Sequence, residues 1–597
     1  MKDIMSIWSR LAGRSYSSVS TNPQPSGNES DDYSDNDPRS LQTKSTIVVN
    51  KFFNKALPVY SDGRRKWPKS IFMLMTLGLL GIAFGCFIMV VQPYELIFKF
   101  KVTFSKGGEI FEMWRKPQVE LFLKVYLFNV TNHEEYMSGK ADKLHFKQVG
   151  PYVYKEGLEH ANITFNDNGT VTAIPKHPLT YIAEKSAGAE DDILFLPNIA
   201  LLSIANVMKD ASYFTRWPLN LLIKQTNARP IVKMTAKEFM FGYESALVTL
   251  GNNVMPSWIK FDKLGLIDRM YDFEGDFETV YTGETDVRLT GLIDKYNGDS
   301  NLPQWTGKCA NVAGASDGTK FPSYIEPNDT LLFFRKSLCR SARMVRTGDA
   351  VVKGLHSYRY KFMDDELDNG VNNTENKCFC RHGRCLPAGM IDVTDCYYGF
   401  PIALTFPHFY KADPSLLNAV VGLEPRQDLH ESYFIIQPKS GLPVDIAFRF
   451  QINMALQDIK AISNTDGFSN MVLPLLWFEI GMYELPESMN NRFLLYLNIA
   501  PVAQDIAIYG LFFGGAIFLI WSVFKILLYR PQGAKSTPAK WIETELQKKR
   551  LNFLNDKRSS FRGKQMDTYY NSLLEPKEES TPMTAMDNSE CFKEDLV

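Results

Sequence analysis

Net charge is almost absent from this sequence: 66 lysines and arginines stand against 67 aspartates and glutamates, a formal net charge of -1. Such a balance carries no electrostatic signature of a nucleic-acid binder, so partners have to be sought in local features. Acidic residues are missing from two long apolar runs, Ile71 to Val91 and Ile506 to Phe524. Intramembrane charges mark ion pathways, and these runs have none beyond Lys525 at the edge of the second. A catalytic constellation is missing too. Gly314-Ala-Ser316-Asp-Gly318 has the spacing of a lipase nucleophile elbow, but Pro322 stands where the following helix would run, so a Gly-rich turn is expected. His133-Glu134-Glu135 lacks the second histidine of a zinc-protease motif, because Met137 occupies its place. These absences argue against an enzyme, and no cofactor or metal is expected.

Each apolar run has the roughly twenty residues needed to cross a bilayer as a helix. Arg64, Arg65, Lys66 and Lys69 precede the first, and Lys525, Arg530 and Lys535 follow the second. Positive charge at those ends puts both termini in the cytosol. The expected organisation is a disordered, Ser/Asn/Asp/Pro-rich cytosolic tail over 1–69, a membrane helix over 70–91, an exterior domain over 92–505, a second membrane helix over 506–528 and a cytosolic tail over 529–597. Gly78, Gly81 and Gly85 on the first helix, and Gly510 with Gly514 on the second, have the small-residue spacing that lets helices approach closely.

The exterior segment holds six of the eight cysteines, Cys309, Cys339, Cys378, Cys380, Cys385 and Cys396. It also carries the glycosylation sequons at Asn129, Asn162, Asn168, Asn328 and Asn372. Both features belong to an oxidising, lumenal or extracellular setting. Three disulfides follow, with roughly 15 pairings open. A zinc site at Cys378-Phe-Cys380 with His382 is disfavoured, because metal thiolates belong mainly to reducing compartments. Short β-rich stretches at Val119 to Val130, Leu331 to Phe334, Tyr433 to Gln437 and Ile446 to Met454 alternate with turn signals, which predicts a largely antiparallel β core. Ala200 to Ile223 instead repeats its apolar residues at helical spacing, with a break expected at Pro218.

No acidic residue occurs between Ala211 and Lys237, whereas Arg216, Lys224, Arg229 and Lys233 occur alongside Phe214 and Trp217. A cationic, aromatic-bearing surface attracts carboxylates, phospholipid headgroups or acidic protein faces, and a solvated helix face is the plain alternative. In the C-terminal tail, Trp541 to Leu551 reads as amphipathic, and Tyr570-Asn-Ser-Leu573 has the form of a tyrosine-based endocytic signal for a clathrin adaptor.

A family resemblance gathers these features. Gly107-Gly-Glu-Ile-Phe-Glu-Met-Trp114, Gly150-Pro-Tyr-Val-Tyr154, Leu196-Pro-Asn198, Gly291-Leu-Ile-Asp294, Leu404-Thr-Phe-Pro-His-Phe409 and Pro474-Leu-Leu-Trp477 resemble, in order, the class B scavenger receptors. That family includes fatty-acid and lipoprotein receptors, a lysosomal membrane receptor, and insect Croquemort-type and sensory neuron membrane proteins. The resemblance implies an α+β exterior domain with an antiparallel β-barrel core, an apical helical bundle and an internal lipid tunnel. It implies lipids or lipoprotein particles as partners at the plasma membrane, or alternatively an endocytic or lysosomal sorting receptor, with oligomeric state open. By similarity, Phe214 and Lys224 fall at or beside positions that meet ligand, while Gln225 and Asn227 stand where relatives can carry lysines. It also implies the pairs Cys309–Cys378, Cys339–Cys396 and Cys380–Cys385.

Overall fold

The computed structural model describes residues 69–245, 247, 249, 263–482, 485–528, 545 and 547–549. The expectations for the N-terminal tail, the amphipathic stretch and the Tyr570/Leu573 signal fall wholly or largely outside these residues. The chain forms two units, Met1–Phe72 and Met73–Val597, and the sheets, the helical insert and the cavities all belong to the second.

Alternating apolar residues build a twelve-stranded sheet. Its main path runs Leu331–Arg335, Arg340–Val352, Leu355–Phe362, Tyr433–Ile436, Pro443–Ala455, Val472–Met482, Leu121–Val130, Leu144–Glu156 and Val420–Val421, antiparallel except for the last pair. Register aligns Phe448 with Ile480 and Phe450 with Phe478, and Leu123 and Val125 meet the same two residues from the other side. All six are buried, and Phe333, Phe362, Phe434, Phe448 and Phe450 form a continuous aromatic cluster with ring centroids 5.0–6.3 Å apart. Burying side chains of this size contributes on the order of 2 kcal/mol each. A four-stranded antiparallel sheet pairs Ile293–Tyr296, Glu278–Tyr281, Thr170–Lys176 and Glu159–Phe165 in that order.

The helical insert comprises two helices, Ile199–Met208 and Tyr213–Gln225, carried between the paired strands Ile193–Pro197 and Ile231–Thr235. The break falls at 209–212 rather than at Pro218. Ser212 accepts a hydrogen bond from the Thr215 N–H and so starts a new helix, in which Pro218 is accommodated. Proline removes one backbone hydrogen bond there, but the carbonyl it would have served belongs to exposed Phe214, where water can replace it.

Two helical stretches, Lys69–Val102 and Glu487–Leu528, are long and apolar enough to cross a membrane. A side chain at Gly78 would have its Cβ 2.9 Å from the Gly515 carbonyl oxygen and 2.8 Å from Leu519 Cγ, so glycine is what admits this approach. The glycine face of the second helix therefore centres on Gly515. Gly510 and Gly514, the pair anticipated from sequence, have nothing within 4 Å, because one residue of helix is a turn of about 100°.

Candidate functional site

Three cavities that share lining residues lie between the two apolar helical stretches in sequence. The first, of about 80 Å³, lies between the main sheet and the four-stranded sheet, is partly open to solvent, and is walled by Leu121, Leu158, Phe333, Phe434, Phe448 and Ile480 among others. A second, of about 60 Å³, shares Leu121, Leu158, Gly318, Thr319 and Ile446 with the first. A third, of about 30 Å³, shares Met113 and Leu442 with the second and reaches Phe98, Phe493 and Leu497 on the helical segments that continue into the two apolar spans. Their lining is mainly hydrophobic, as in sites for small apolar molecules.

One side of the first cavity is ionised. His160 lies opposite Pro175 and Glu278 lies opposite Ala173, so both flank the strand Thr170–Lys176 and share one face across it. Asp317 joins them from the turn after Ala315. His160 Nε2 is 2.9 Å from Glu278 Oε1 and 3.2 Å from Asp317 Oδ2, while its Nδ1–H donates to the Trp114 carbonyl at 2.8 Å. The imidazole stacks on the Trp114 ring with centroids 4.0 Å apart. Burial opposes a charge on His160, but the hydrogen-bonding and Coulombic pull of the two carboxylates wins and raises it to about 10. Burial raises Glu278, whereas at Asp317 burial is outweighed by His160 and Thr319 and the carboxyl is lowered.

A second buried network stands next to it. Glu156 meets His177 Nδ1 at 2.6 Å and Arg335 Nη2 at 3.2 Å, and accepts a hydrogen bond from the Tyr271 hydroxyl at 2.9 Å. Burial alone would raise Glu156, yet Arg335, His177 and Tyr271 together bring it down to about 2. The cavity thus has a greasy floor and a wall of paired charges. None of these residues was singled out from the sequence. The one available signal was a charged residue at an inward position of a strand, and that position is fixed only by long-range register.

The sequence-predicted binding residues lie elsewhere. Phe214, Trp217, Leu221 and Lys224 follow one another at three- and four-residue spacing, one stripe of the helix Tyr213–Gln225. This stripe faces outward: Phe214 is 86% exposed and Trp217 56%. Asn220, at the flank of the stripe, anchors the helix by donating to the Ala461 carbonyl and accepting from the Ser463 N–H. Arg229 and Lys233 are exposed in the returning turn and strand, off that stripe. Lys224, Arg229 and Lys233 form no ion pair among the described residues.

Six cysteines are joined as Cys309–Cys378, Cys339–Cys396 and Cys380–Cys385. Asn162, Asn168, Asn328 and Asn372 are exposed, whereas Asn129 is half-buried in a paired strand with its Oδ1 accepting from the Phe195 N–H. Ser316 is fully buried, and its hydroxyl donates to the Lys320 carbonyl and accepts from the Gly318 N–H, which commits it to a turn.

Comparison with known proteins agrees with this architecture. The CD36 family model matches residues 72–526. Scavenger receptor class B member 1 of Cricetulus griseus is 31% identical over 457 residues, 76% of this chain and 89% of the relative. Lysosome membrane protein 2 of Homo sapiens is 30% identical over 429 residues, 69% of this chain and 86% of the relative.

Proposed function

Because the chain belongs to the CD36 family, whose members are scavenger receptors and not enzymes, we propose that it is a cell-surface receptor that binds lipids or lipoprotein-type carriers and passes hydrophobic ligand through its exterior domain to the membrane. In this reading the strands of the main sheet form a barrel around a tunnel, the helical insert is the apex, residues 92–505 lie outside and both termini are cytosolic. The observation that carries it is the succession of cavities, each sharing wall residues with the next, that ends on the helices leading into the apolar spans. The open hollow lined by Asn297, Asp299 and Gln304 shares Tyr296, Phe334 and Lys336 with the first cavity and would serve as its mouth.

The need for such a passage is energetic. At about 0.8 kcal/mol per methylene, an alkyl chain of about sixteen carbons loses on the order of 12 kcal/mol on entering water. A continuous apolar path removes that barrier without chemistry or ATP. Met113 and Leu442 line both the second and the third cavity, so Leu442→Trp should block the path without touching the helix Tyr213–Gln225. Cells expressing that variant should take up labelled fatty acid or sterol several-fold more slowly than wild type at equal surface expression. Equal uptake, or wild-type protein that purifies without lipid, would overturn the conduit.

A second reading is a sorting receptor, at the surface or in lysosomes, that carries a protein or a dying cell bound at the apex. The outward stripe of Phe214, Trp217 and Leu221 favours it, since exposed aromatic ridges are common at interfaces. Under this reading Tyr570→Ala with Leu573→Ala stalls cargo at the surface by removing a clathrin-adaptor signal, whereas a conduit continues to load lipid.

A further inference from the structure

We propose that His160, Glu278 and Asp317 form a binding site for a divalent transition-metal ion of the zinc class, set in the cavity wall with one coordination position left for water or for an oxygen of a cavity ligand. The site is independent of the conduit reading and of the apex.

The ligand set comes first. The three residues are far apart in sequence, yet one ligand atom from each lies within 4.8 Å of the others. Tetrahedral zinc with bonds of about 2.0 Å has ligand-to-ligand edges of about 3.3 Å. The two measured edges from His160 Nε2, 2.9 and 3.2 Å, need only a small outward adjustment to reach that value. One imidazole with two carboxylates suits zinc and its neighbours. Calcium and magnesium call for about six or more oxygen ligands, which this wall does not supply.

The histidine is oriented as a metal ligand would be. The partner of Nδ1 is a carbonyl, which can only accept, so Nδ1 carries hydrogen and the ring is held flat against Trp114. In the neutral imidazole the lone pair then sits on Nε2, aimed between the two carboxylates. A ligating histidine usually donates its other N–H to just such a carbonyl. Asp317 is braced in turn by the Thr319 N–H and hydroxyl.

The independent observation is Glu278 itself. Its side chain is 4% exposed, and Oε1 points into the cluster with His160 Nε2, 2.9 Å away, as the one nitrogen near it and no further donor. A buried carboxylate oxygen whose only possible donor is shared with a second carboxylate is costly. An imidazolium between the carboxylates would leave one negative charge uncompensated, whereas a dication with neutral imidazole balances both. The same three side chains line the cavity beside Leu158 and Phe333, so the free coordination position faces its interior.

The test uses the full-length protein in detergent, stripped with chelator and then titrated with zinc sulfate. About one zinc per chain should remain after gel filtration. Cobalt(II) in its place should give the visible d–d bands of a four- or five-coordinate imidazole–carboxylate site without thiolate charge-transfer absorption. Glu278→Gln and Asp317→Asn, each verified as folded by circular dichroism, should weaken zinc binding by more than the roughly hundredfold that loss of a supporting shell costs. Wild-type protein that retains no stoichiometric zinc would overturn the site and leave the triad as an imidazolium-bridged ion pair. So would a thiolate cobalt spectrum, or undiminished binding in both folded variants. If every variant fails to fold, the wild-type stoichiometry and cobalt spectrum decide the matter alone.

Discussion

The cavity wall and the helix Tyr213–Gln225 treat charge in opposite ways. Glu156 faces Arg335, and His160 faces Glu278 and Asp317, all buried or half-buried, whereas Lys224, Arg229 and Lys233 are exposed and have no ion partner among the described residues. A buried charge must be partnered or it destabilises the fold, while an exposed one costs almost nothing to leave free. The wall therefore satisfies its charges within the fold, and the helix Tyr213–Gln225 and the turn after it retain charge and aromatic area for something outside the molecule.

The largest expected effect comes from breaking the wall. Glu156→Ala leaves Arg335 buried without its carboxylate and should lower stability by about 3–5 kcal/mol, read as a lower denaturant midpoint of the full-length protein in detergent. Lys224→Ala on the exposed helix should stay within about 0.5 kcal/mol of wild type in the same experiment. Equal effects at the two sites would erase the contrast.

Acid sharpens the comparison. His408 and His430 stack with ring centroids 4.4 Å apart, and their Nδ1 atoms accept the Glu424 and Arg426 N–H groups. Burial lowers His408 to about 4, and burial with the neighbouring His408 lowers His430 to about 3, from an ordinary 6.5. Between those values and 6.5 the unfolded chain holds protons that the folded one does not, so stability falls as pH drops through this window. The slope should approach about 1.4 kcal/mol per pH unit for each histidine. Glu156, lowered from 4.5 to about 2, adds a loss at still lower pH, because its stabilisation is complete only above 4.5. Denaturant midpoints from pH 7 to pH 4 should decline, and His430→Asn, which keeps an acceptor near the Arg426 N–H, should flatten the decline. Residues 199–235 contain no histidine, so amide exchange there should not change over pH 7 to pH 5 beyond its intrinsic dependence.

The two regions also differed in how far they could be read in advance. Apolar runs, strand alternation and the cation-rich helix are local patterns, and Leu331–Arg335, Pro443–Ala455 and Tyr213–Gln225 form where those patterns lie. Long-range register carries the rest. His160 and Glu278 meet only because each pairs across Thr170–Lys176 at positions two residues apart, and neither strand contains that information. Local propensity also misled once at Pro218, where the Ser212 cap and solvent exposure together outweighed the proline. On the apolar spans, Gly515 became the close-contact glycine in place of Gly510 and Gly514 because helix rotation is set by the partner.

Between the extremes lies the helix cap. Ser212→Ala removes the acceptor for the Thr215 N–H and should cost about 1 kcal/mol, confined to the insert. Amide exchange within 213–225 should accelerate several-fold while the global denaturant midpoint holds. A shift of the global midpoint by the same amount would mean that the insert unfolds together with the sheet.

The smallest effect on stability belongs to the outward stripe, and it is the most telling about function. Phe214 and Trp217 together expose a large apolar area, and Ile223 on the same helix is fully buried and holds the helix to the body. Replacing Phe214 and Trp217 with serine removes contacts that the folded chain does not itself use, so the midpoint should move by less than about 0.5 kcal/mol. Binding should respond differently, since aromatic residues dominate the energetics of interfaces and each can contribute about 2 kcal/mol. Surface-bound lipoprotein on expressing cells should fall at least tenfold, with detergent-extracted protein retaining its copurified lipid. Loss of both would tie the stripe to the integrity of the cavities, and loss of neither would make it a bystander surface, leaving ligand entry to the hollow beside Tyr296.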